Sequence, residues 1–360
     1  MALVNLKELL AHAKANCYAV GAFNVSKMDM IDPILDAAIE EKSPVILMFA
    51  EVHFKYMNLE KLAPAMINAA SEVPVPVCIH LDHGDSMKTI MRAIRAGFTS
   101  VMLDGSKYDF NKNVEVMKKV VELAHSVDVT VEGEIGKVGG SEGGTGGAME
   151  AEEEFYTTVE EAVTFTRETN VDALAIAFGT VHGFYKGEPK LDFDRLSQIA
   201  AAVNVPLVMH GGSGISFKDF QESVRRGICK INFYTTNQVA AIDRIKQILK
   251  EKPEFNNYPQ LINEAMTAVK GVVKQHIRVF GCANQCDATS SLCQICSREG
   301  CQIGAMYKPV AQDTKLVSAT YIASPQVSSS FGQVPSNPSQ DSDLRRKIEE
   351  ITRRVLSQIK

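Results

Sequence analysis

The sequence predicts a parallel α/β protein closed into a (β/α)8 TIM barrel. Two observations predict it. Apolar runs of strand length recur eight times, each followed by a segment of helical periodicity. Polar and metal-ligating residue types then gather at the C-terminal ends of those runs, where barrel enzymes build their sites.

Strands are expected at Ala19–Phe23, Val45–Phe49, Val77–Asp82, Ser100–Asp104, Val129–Glu134, Ala173–Phe178, Pro206–His210 and Lys230–Phe233. Between them, stretches such as Lys112–Ser126 and Thr158–Asn170 place apolar residues at three- and four-residue steps. Strand–helix alternation implies parallel neighbours, because parallel strands need a crossover connection. Eight such units in about 250 residues is the size of a closed barrel. An open doubly wound sheet is the competitor, and it becomes awkward at eight units without a gap. The barrel is expected over residues 1–283. A Cys-rich segment (284–307), a linker (308–340) and an amphipathic helix (341–360) follow it.

Composition narrows the function. The chain has 360 residues, 45% of them hydrophobic, enough for a full-sized core. A formal charge of -5 and a pI near 6.0 argue against nucleic acid as the main partner, since no broad cationic field exists to collect phosphates. No apolar run approaches the roughly 18 residues of a membrane span. Lys7, Glu8 and His12 interrupt the N-terminus before a signal-peptide core can form. A cytoplasmic enzyme is expected.

The rim residues read as chemistry. Asn24, Asp82, His83, Asp104, Glu132, Glu134, His182, His210 and Asn232 all fall at or just past predicted strand ends. His83, His182 and His210 follow the third, sixth and seventh strands and can converge above the barrel. Three imidazoles with an open position form a catalytic zinc arrangement, although iron, cobalt or manganese suits the same ligands. Asp82 precedes His83 and is placed to move a proton at a substrate hydroxyl; its other role would be to orient an imidazole. Asp104 and Glu134 either hold the metal in an alternative inner position or support its ligands.

Glycine marks an anion site. His210-Gly211-Gly212-Ser213-Gly214 follows the seventh strand, and Asn232 with Thr235-Thr236 follows the eighth. Loops after these strands are the usual barrel phosphate site. Lys186 adds a candidate cation. The loop Gly139–Gly147, after the fifth strand, is either a plain flexible connection or a lid delivering Glu142 as a second acid/base.

With these residues assembled, the chain resembles the class II (zinc-dependent) ketose-bisphosphate aldolases, the fructose- and tagatose-bisphosphate group. The likeness covers residues 1 to about 283. It rests on Gly21-Ala22-Phe23-Asn24-Val25, His80-Leu81-Asp82-His83, Val131-Glu132-Gly133-Glu134-Ile135-Gly136, Gly179-Thr180-Val181-His182-Gly183 and Val208-Met209-His210-Gly211-Gly212-Ser213-Gly214. The resemblance implies a homodimer or homotetramer. In each subunit one zinc on His83, His182 and His210 would polarise dihydroxyacetone phosphate. Asp82 would serve the C4 hydroxyl and Glu142 the proton at C3. Gly183, Gly211, Ser213, Asn232 and Thr235 would hold the substrate and its phosphate, with a monovalent cation nearby. Three departures stand out. Ala50 replaces the usual Ser or Thr. Phe233-Tyr234 replaces an acidic residue after Asn232. Asn256-Asn257-Tyr258 replaces an Asp-Pro-Arg whose arginine meets the distal phosphate across the dimer. A ketose 1-phosphate is therefore expected in place of fructose 1,6-bisphosphate. Another metal-dependent sugar-phosphate lyase or isomerase, and a non-catalytic scaffold derived from an aldolase, remain as alternatives.

The C-terminal region departs from the barrel in composition. Cys282, Cys286, Cys293 and Cys296, with Cys301 nearby, are candidate ligands for a second metal, though the gap between the pairs is shorter than zinc-ribbon spacing; free thiols are the alternative. Past a Ser- and Pro-rich linker, Leu344, Ile348, Ile351, Val355 and Ile359 form one helical stripe. The arrangement resembles encapsulation peptides of bacterial microcompartment cargo enzymes, which would dock on a shell protein. The alternatives are packing on its own barrel or pairing with its copy.

Overall fold

The computed structural model describes residues 3–140, 150–183 and 185–286. Glu142, Cys293, Cys296, Cys301 and the stripe Leu344, Ile348, Ile351, Val355 and Ile359 lie outside the described residues, as does nearly all of the expected Cys-rich segment, linker and helix.

The eight expected strands form the barrel. They are β1 (Val20–Asn24), β2 (Val45–Ala50), β3 (Val77–Gly84), β4 (Ser100–Leu103), β5 (Thr130–Ile135), β6 (Ala173–Ile176), β7 (Leu207–Met209) and β8 (Ile228–Phe233). All pairings are parallel, and β1 meets β8 with Val20 opposite Lys230, which closes the cylinder. The strands are buried on both sides because each faces the interior on one side and a helix on the other.

Each barrel strand leads into a helix, and local capping sets where several of those helices start. Asp109 accepts from Lys112 N at 2.9 Å, ahead of Phe110–His125. Thr158 and Glu161 form a reciprocal capping box ahead of Val159–Thr169, which stops at Asn170 in the left-handed conformation. Helix α1 (Leu6–Ala15) precedes the first strand and lies against β3, β5, β6 and β8. Its stripe of Leu6, Leu9, Leu10 and Ala13 is fully buried, and Leu6 N donates to Thr130 Oγ1 at 3.1 Å. That helix closes the N-terminal mouth, which leaves the other mouth for chemistry.

Two sequence expectations change in detail. The sixth and seventh strands stop at Ile176 and Met209, so neither His182 nor His210 is itself a barrel-strand residue. Cys282 is completely buried, with Sγ 3.6 Å from the Pro44 carbonyl. Burial pushes its thiol up to about 12. It packs as a small apolar side chain, and Cys286 is only partly buried. No helix among the described residues is long and apolar enough to cross a membrane.

Candidate active site

Strand alternation alone would send the neighbours Asp82 and His83 to opposite faces. The backbone prevents this. The β3–β4 register shifts between Leu81 and Gly84, and His83 sits at φ 45°. A bulge with a left-handed residue re-aims side chains, here bringing both into the mouth of the barrel. Such a conformation is unusual for a residue with a Cβ and marks a position held by its surroundings. His182 arrives differently. It pairs with Gly140 in a short parallel ladder outside the barrel, Gly139–Gly140 against Val181–His182. Gly140 has φ 97°, and a Cβ there would lie 2.1 Å from the His182 carbonyl oxygen, so only glycine lets the two backbones approach.

The three histidines meet. One ligand atom from each of His83, His182 and His210 lies within 4.8 Å of the others, the one such cluster among the described residues. Nδ1 of His210 is 2.9 Å from Nε2 of His83. Burial, then the neighbouring His83, holds the His182 ring below its ordinary pKa, and burial does the same more strongly for His210. Neutral imidazole is the metal-binding form. Each ring is also held from behind. His210 Nε2 lies 2.8 Å from Glu132 Oε1; the His182 ring faces the Val138 backbone; His83 Nδ1 is 3.8 Å from Asp104 Oδ2. Metal-binding histidines are typically oriented through their other nitrogen in this way, so the donor set fits a divalent ion. Glu134 Oε2 lies 3.3 Å from His210 Nδ1, which places Asp104 and Glu134 beside the cluster.

Asp82 is buried and accepts from two amides, Asn24 Nδ2 at 2.8 Å and Asn232 Nδ2 at 3.0 Å. Asn24 is aimed in turn by Ala50 N, which donates to its Oδ1 at 3.0 Å. Burial works against the carboxylate, but the facing His83 and His210 and the charge of Lys230 outweigh it and hold Asp82 well below the usual range. The site thus keeps Asp82 ionised.

The cleft over these residues is lined by Gly183, Gly211, Gly212, Ser213, Asn232, Phe233, Tyr234 and Thr235 as well as Asn24, Asp82 and two of the histidines. Its free space is about 30 Å³. Gly211 has φ 66° and would bring a Cβ to 2.4 Å from the Val181 carbonyl, so only glycine lets these two loops pack this closely. Tyr185 staples the same loops, donating to Gly211 O at 2.7 Å and accepting from Val181 N at 3.1 Å. The helix Thr235–Glu251 starts at this cleft with no side-chain cap from its preceding residue, and Thr236 N donates to Ser213 Oγ at 3.3 Å. A helix N-terminus beside a glycine loop favours an anion. Lys186 is exposed and lines a separate cavity of about 630 Å³ with Tyr156, Glu188 and Asp192.

Beneath the cluster lies a polar layer of which the sequence singled out only Glu132. His80, Glu132 and Lys230 are fully buried, and Lys230 Nζ is 2.9 Å from Glu132 Oε2. Each stands two residues before a polar rim residue on its own strand (Asp82, Glu134 and Asn232), so i, i+2 spacing was the available signal. His53, just past β2, packs on Tyr234 with ring centroids 4.7 Å apart.

These buried rings make stability pH-dependent. Burial, then the charge of Lys230, lowers His80 to about 3, and burial lowers His53 to about 4 against a pull from Asp82. Between those values and the ordinary 6.5, the unfolded chain binds protons that the folded chain refuses. Stability therefore falls as pH drops through that window, by about 1.4 kcal/mol per pH unit for each ring. Asp82 and Asp104, shifted downward, lose their contribution only at lower pH and do not offset this. The urea midpoint of chelator-treated protein should drop from pH 6.5 to 5; an unchanged midpoint would show that these rings are not held neutral.

The sequence matches the family model described as "Fructose-bisphosphate aldolase class-II" over residues 4–285. It is 43% identical over 288 residues to the "Probable fructose-bisphosphate aldolase" of Bacillus subtilis, covering 79% of this chain and 100% of that one. Identity to the "Fructose-bisphosphate aldolase" of Staphylococcus aureus is 41% over 289 residues, 79% of this chain and 99% of the other. Among solved structures, the YdjI aldolase from Escherichia coli K12 is similar with a TM-score of 0.71 at 33% identity, covering 79% of this chain and 100% of that one. A family match that spans the barrel, with relatives aligned along their whole length, agrees with the geometry of the histidine cluster: the chain belongs to the class II fructose-bisphosphate aldolase family, lyases that split a phosphorylated ketose into dihydroxyacetone phosphate and an aldehyde.

Proposed function

We propose that this aldolase is zinc-dependent and acts on a ketose 1-phosphate whose far end carries no second phosphate. The observation behind the substrate reading is the cleft wall. Among the described residues that line it there is no Lys or Arg. Tyr234 stands there with its hydroxyl committed to Gln238 Oε1 at 2.9 Å and its ring backed by His53. Tyr258, where relatives carry the distal-phosphate arginine, is 70% exposed. A second phosphate buried without a cation would be costly, whereas a deoxy or hydroxyl terminus fits a neutral aromatic wall.

In this reading His83, His182 and His210 hold the ion, and Asp104 and Glu134 support their rings. Zinc, when bound, supplies Lewis-acid stabilisation of charge developing on the ketone oxygen. Gly183, Gly211, Ser213, Asn232 and Thr235, with the N-terminal end of the helix Thr235–Glu251, bind the C1 phosphate, and a monovalent cation sits near it. In cleavage, Asp82 takes the proton of the C4 hydroxyl as the C3–C4 bond breaks. Glu142, assigned from sequence, returns a proton to C3. The subunits form a homodimer or homotetramer. The stripe from Leu344 to Ile359 docks on a microcompartment shell protein, a setting suited to an enzyme that releases an aldehyde.

The test is retro-aldol release of dihydroxyacetone phosphate from fructose and tagatose 1,6-bisphosphates and from ketose 1-phosphates, including 6-deoxy sugars. The expected result is a kcat/KM at least about tenfold higher for a 1-phosphate, which corresponds to about 1.4 kcal/mol. Preference for a bisphosphate would sink the substrate reading, and no cleavage at all would favour the scaffold alternative. A chain ending at residue 308, run in the same assay, should cleave at the parental rate but lose co-purification with shell protein.

A further inference from the structure

We propose that Lys230 is a positioning residue that sets both halves of the site at once. Through Glu132 it fixes which nitrogen of His210 is free for a metal, and through Asn232 it aims an amide donor at Asp82. The inference rests on the reading of His210 as a metal ligand and Asp82 as the proton acceptor.

Lys230 lies on β8 two residues before Asn232, so both side chains share the interior face. It is fully buried, and an ammonium there is tolerated only when paired and hydrogen-bonded. Its Nζ has two partners, Glu132 Oε2 at 2.9 Å and Asn232 Oδ1 at 2.5 Å.

The first partner reaches the histidine. Glu132 spends one oxygen on Lys230 and turns the other to His210 Nε2 at 2.8 Å. A carboxylate only accepts, and this 2.8 Å contact is shorter than those of Nδ1 to Glu134 Oε2 and of Nε2 to Asn232 Nδ2, both 3.3 Å, so Nε2 carries the ring proton and Nδ1 keeps its lone pair. Nδ1 is the nitrogen that faces His83, 2.9 Å away. The second partner reaches the base. An amide's two ends are nearly equal in shape, and charge decides which way it points. With Lys230 holding Oδ1, Asn232 has Nδ2 left to donate to Asp82 Oδ1 at 3.0 Å. Reversed, it would set an oxygen against a carboxylate.

A buried ion pair that merely supports the barrel would predict none of this coupling. Lys230→Met keeps the length and removes the charge. In 15N-histidine spectra of the metal-free variant, His210, assigned against His210→Ala, should leave the Nε2–H tautomer. Zinc titration should show affinity reduced about 10- to 100-fold, the usual effect of losing a group that orients a ligand. At saturating zinc, kcat should fall at least tenfold with a smaller change in KM. Should the single variant fail to fold, Lys230→Met/Glu132→Gln leaves no unpaired charge. There the glutamine oxygen still accepts from Nε2, so the tautomer and zinc affinity should return to within a few-fold of the parent while kcat stays low. Parental tautomer, zinc affinity and kcat in Lys230→Met would overturn the proposal; parental kcat in the double variant would overturn its Asn232 arm. Spectra and zinc titration use no substrate, so they stand or fall apart from the aldolase assay.

Discussion

Asp82→Asn is expected to lower kcat/KM by about 10²- to 10⁴-fold, the range that a positioned general acid–base supplies, while the fold and zinc content stay parental. The substitution is nearly isosteric, yet it reverses a hydrogen-bond pattern. Asp82 accepts from Asn24 and Asn232 with separate oxygens. An asparagine can satisfy one of those donors but must turn its own N–H₂ toward the other. One buried amide then loses its partner, at about 1–3 kcal/mol, and the acceptor for the substrate proton is gone. Because the three histidines come from β3 and from two loops beyond the barrel strands, none of them depends on the Asp82 charge for its backbone position. Parental zinc stoichiometry, with a thermal midpoint lowered only by that one lost hydrogen bond, should therefore separate a catalytic loss from a collapsed site. If Asp82→Asn cleaved at the parental rate, the proton would have to be taken elsewhere, and Asp104 and Glu134 would be the residues to examine.

The barrel was legible because its signal is one-dimensional. Apolar runs and helical periods repeat along the chain, and seven of the eight expected strands begin within one residue of the observed ones; the eighth starts two residues earlier, at Ile228. The histidines and Asp82 were legible as residue types at strand ends. What the chain did not reveal was how they meet. The left-handed turn at His83 depends on a register shift against β4, which no local pattern near Asp82-His83-Gly84 announces. His182 depends on a glycine forty-two positions earlier, since Gly140 must lack a Cβ for the two backbones to pair. Lys230 was hidden for a different reason. A lone lysine in Ile228-Cys229-Lys230-Ile231-Asn232-Phe233 reads as an interruption until Glu132 is seen 2.9 Å away on a strand nearly a hundred residues distant in sequence. The spacing of Lys230 to Asn232, of His80 to Asp82 and of Glu132 to Glu134 could have exposed the layer, because residues two apart on a strand share a face. Lys186, four residues from His182, lines the separate cavity and is not among the residues lining the cleft.

His210→Ala should remove more than any other single change. The residue is fully buried at the junction of the cluster and the polar layer. Its loss takes one of three imidazoles from the metal position and leaves Glu132 Oε1 without its donor. Groups that merely orient a ligand cost about 10- to 100-fold in metal affinity when lost, so removal of the ligand itself should exceed that. Turnover should fall by at least about 10³-fold, because the several kcal/mol of charge stabilisation that the ion provides corresponds to three or more factors of ten. The two measurements are linked: added zinc should recover little activity, since two imidazoles at this spacing leave the ion weakly held. His182→Ala should weaken zinc comparably but disturb stability less, because His182 sits on a loop outside the barrel strands and His210 is packed into the interior. Should His210→Ala keep parental zinc affinity and turnover, the ion would have to be held from the other side of the cluster by Asp104 and Glu134. The three-histidine assignment, and with it the coupling through Lys230, would then fall together.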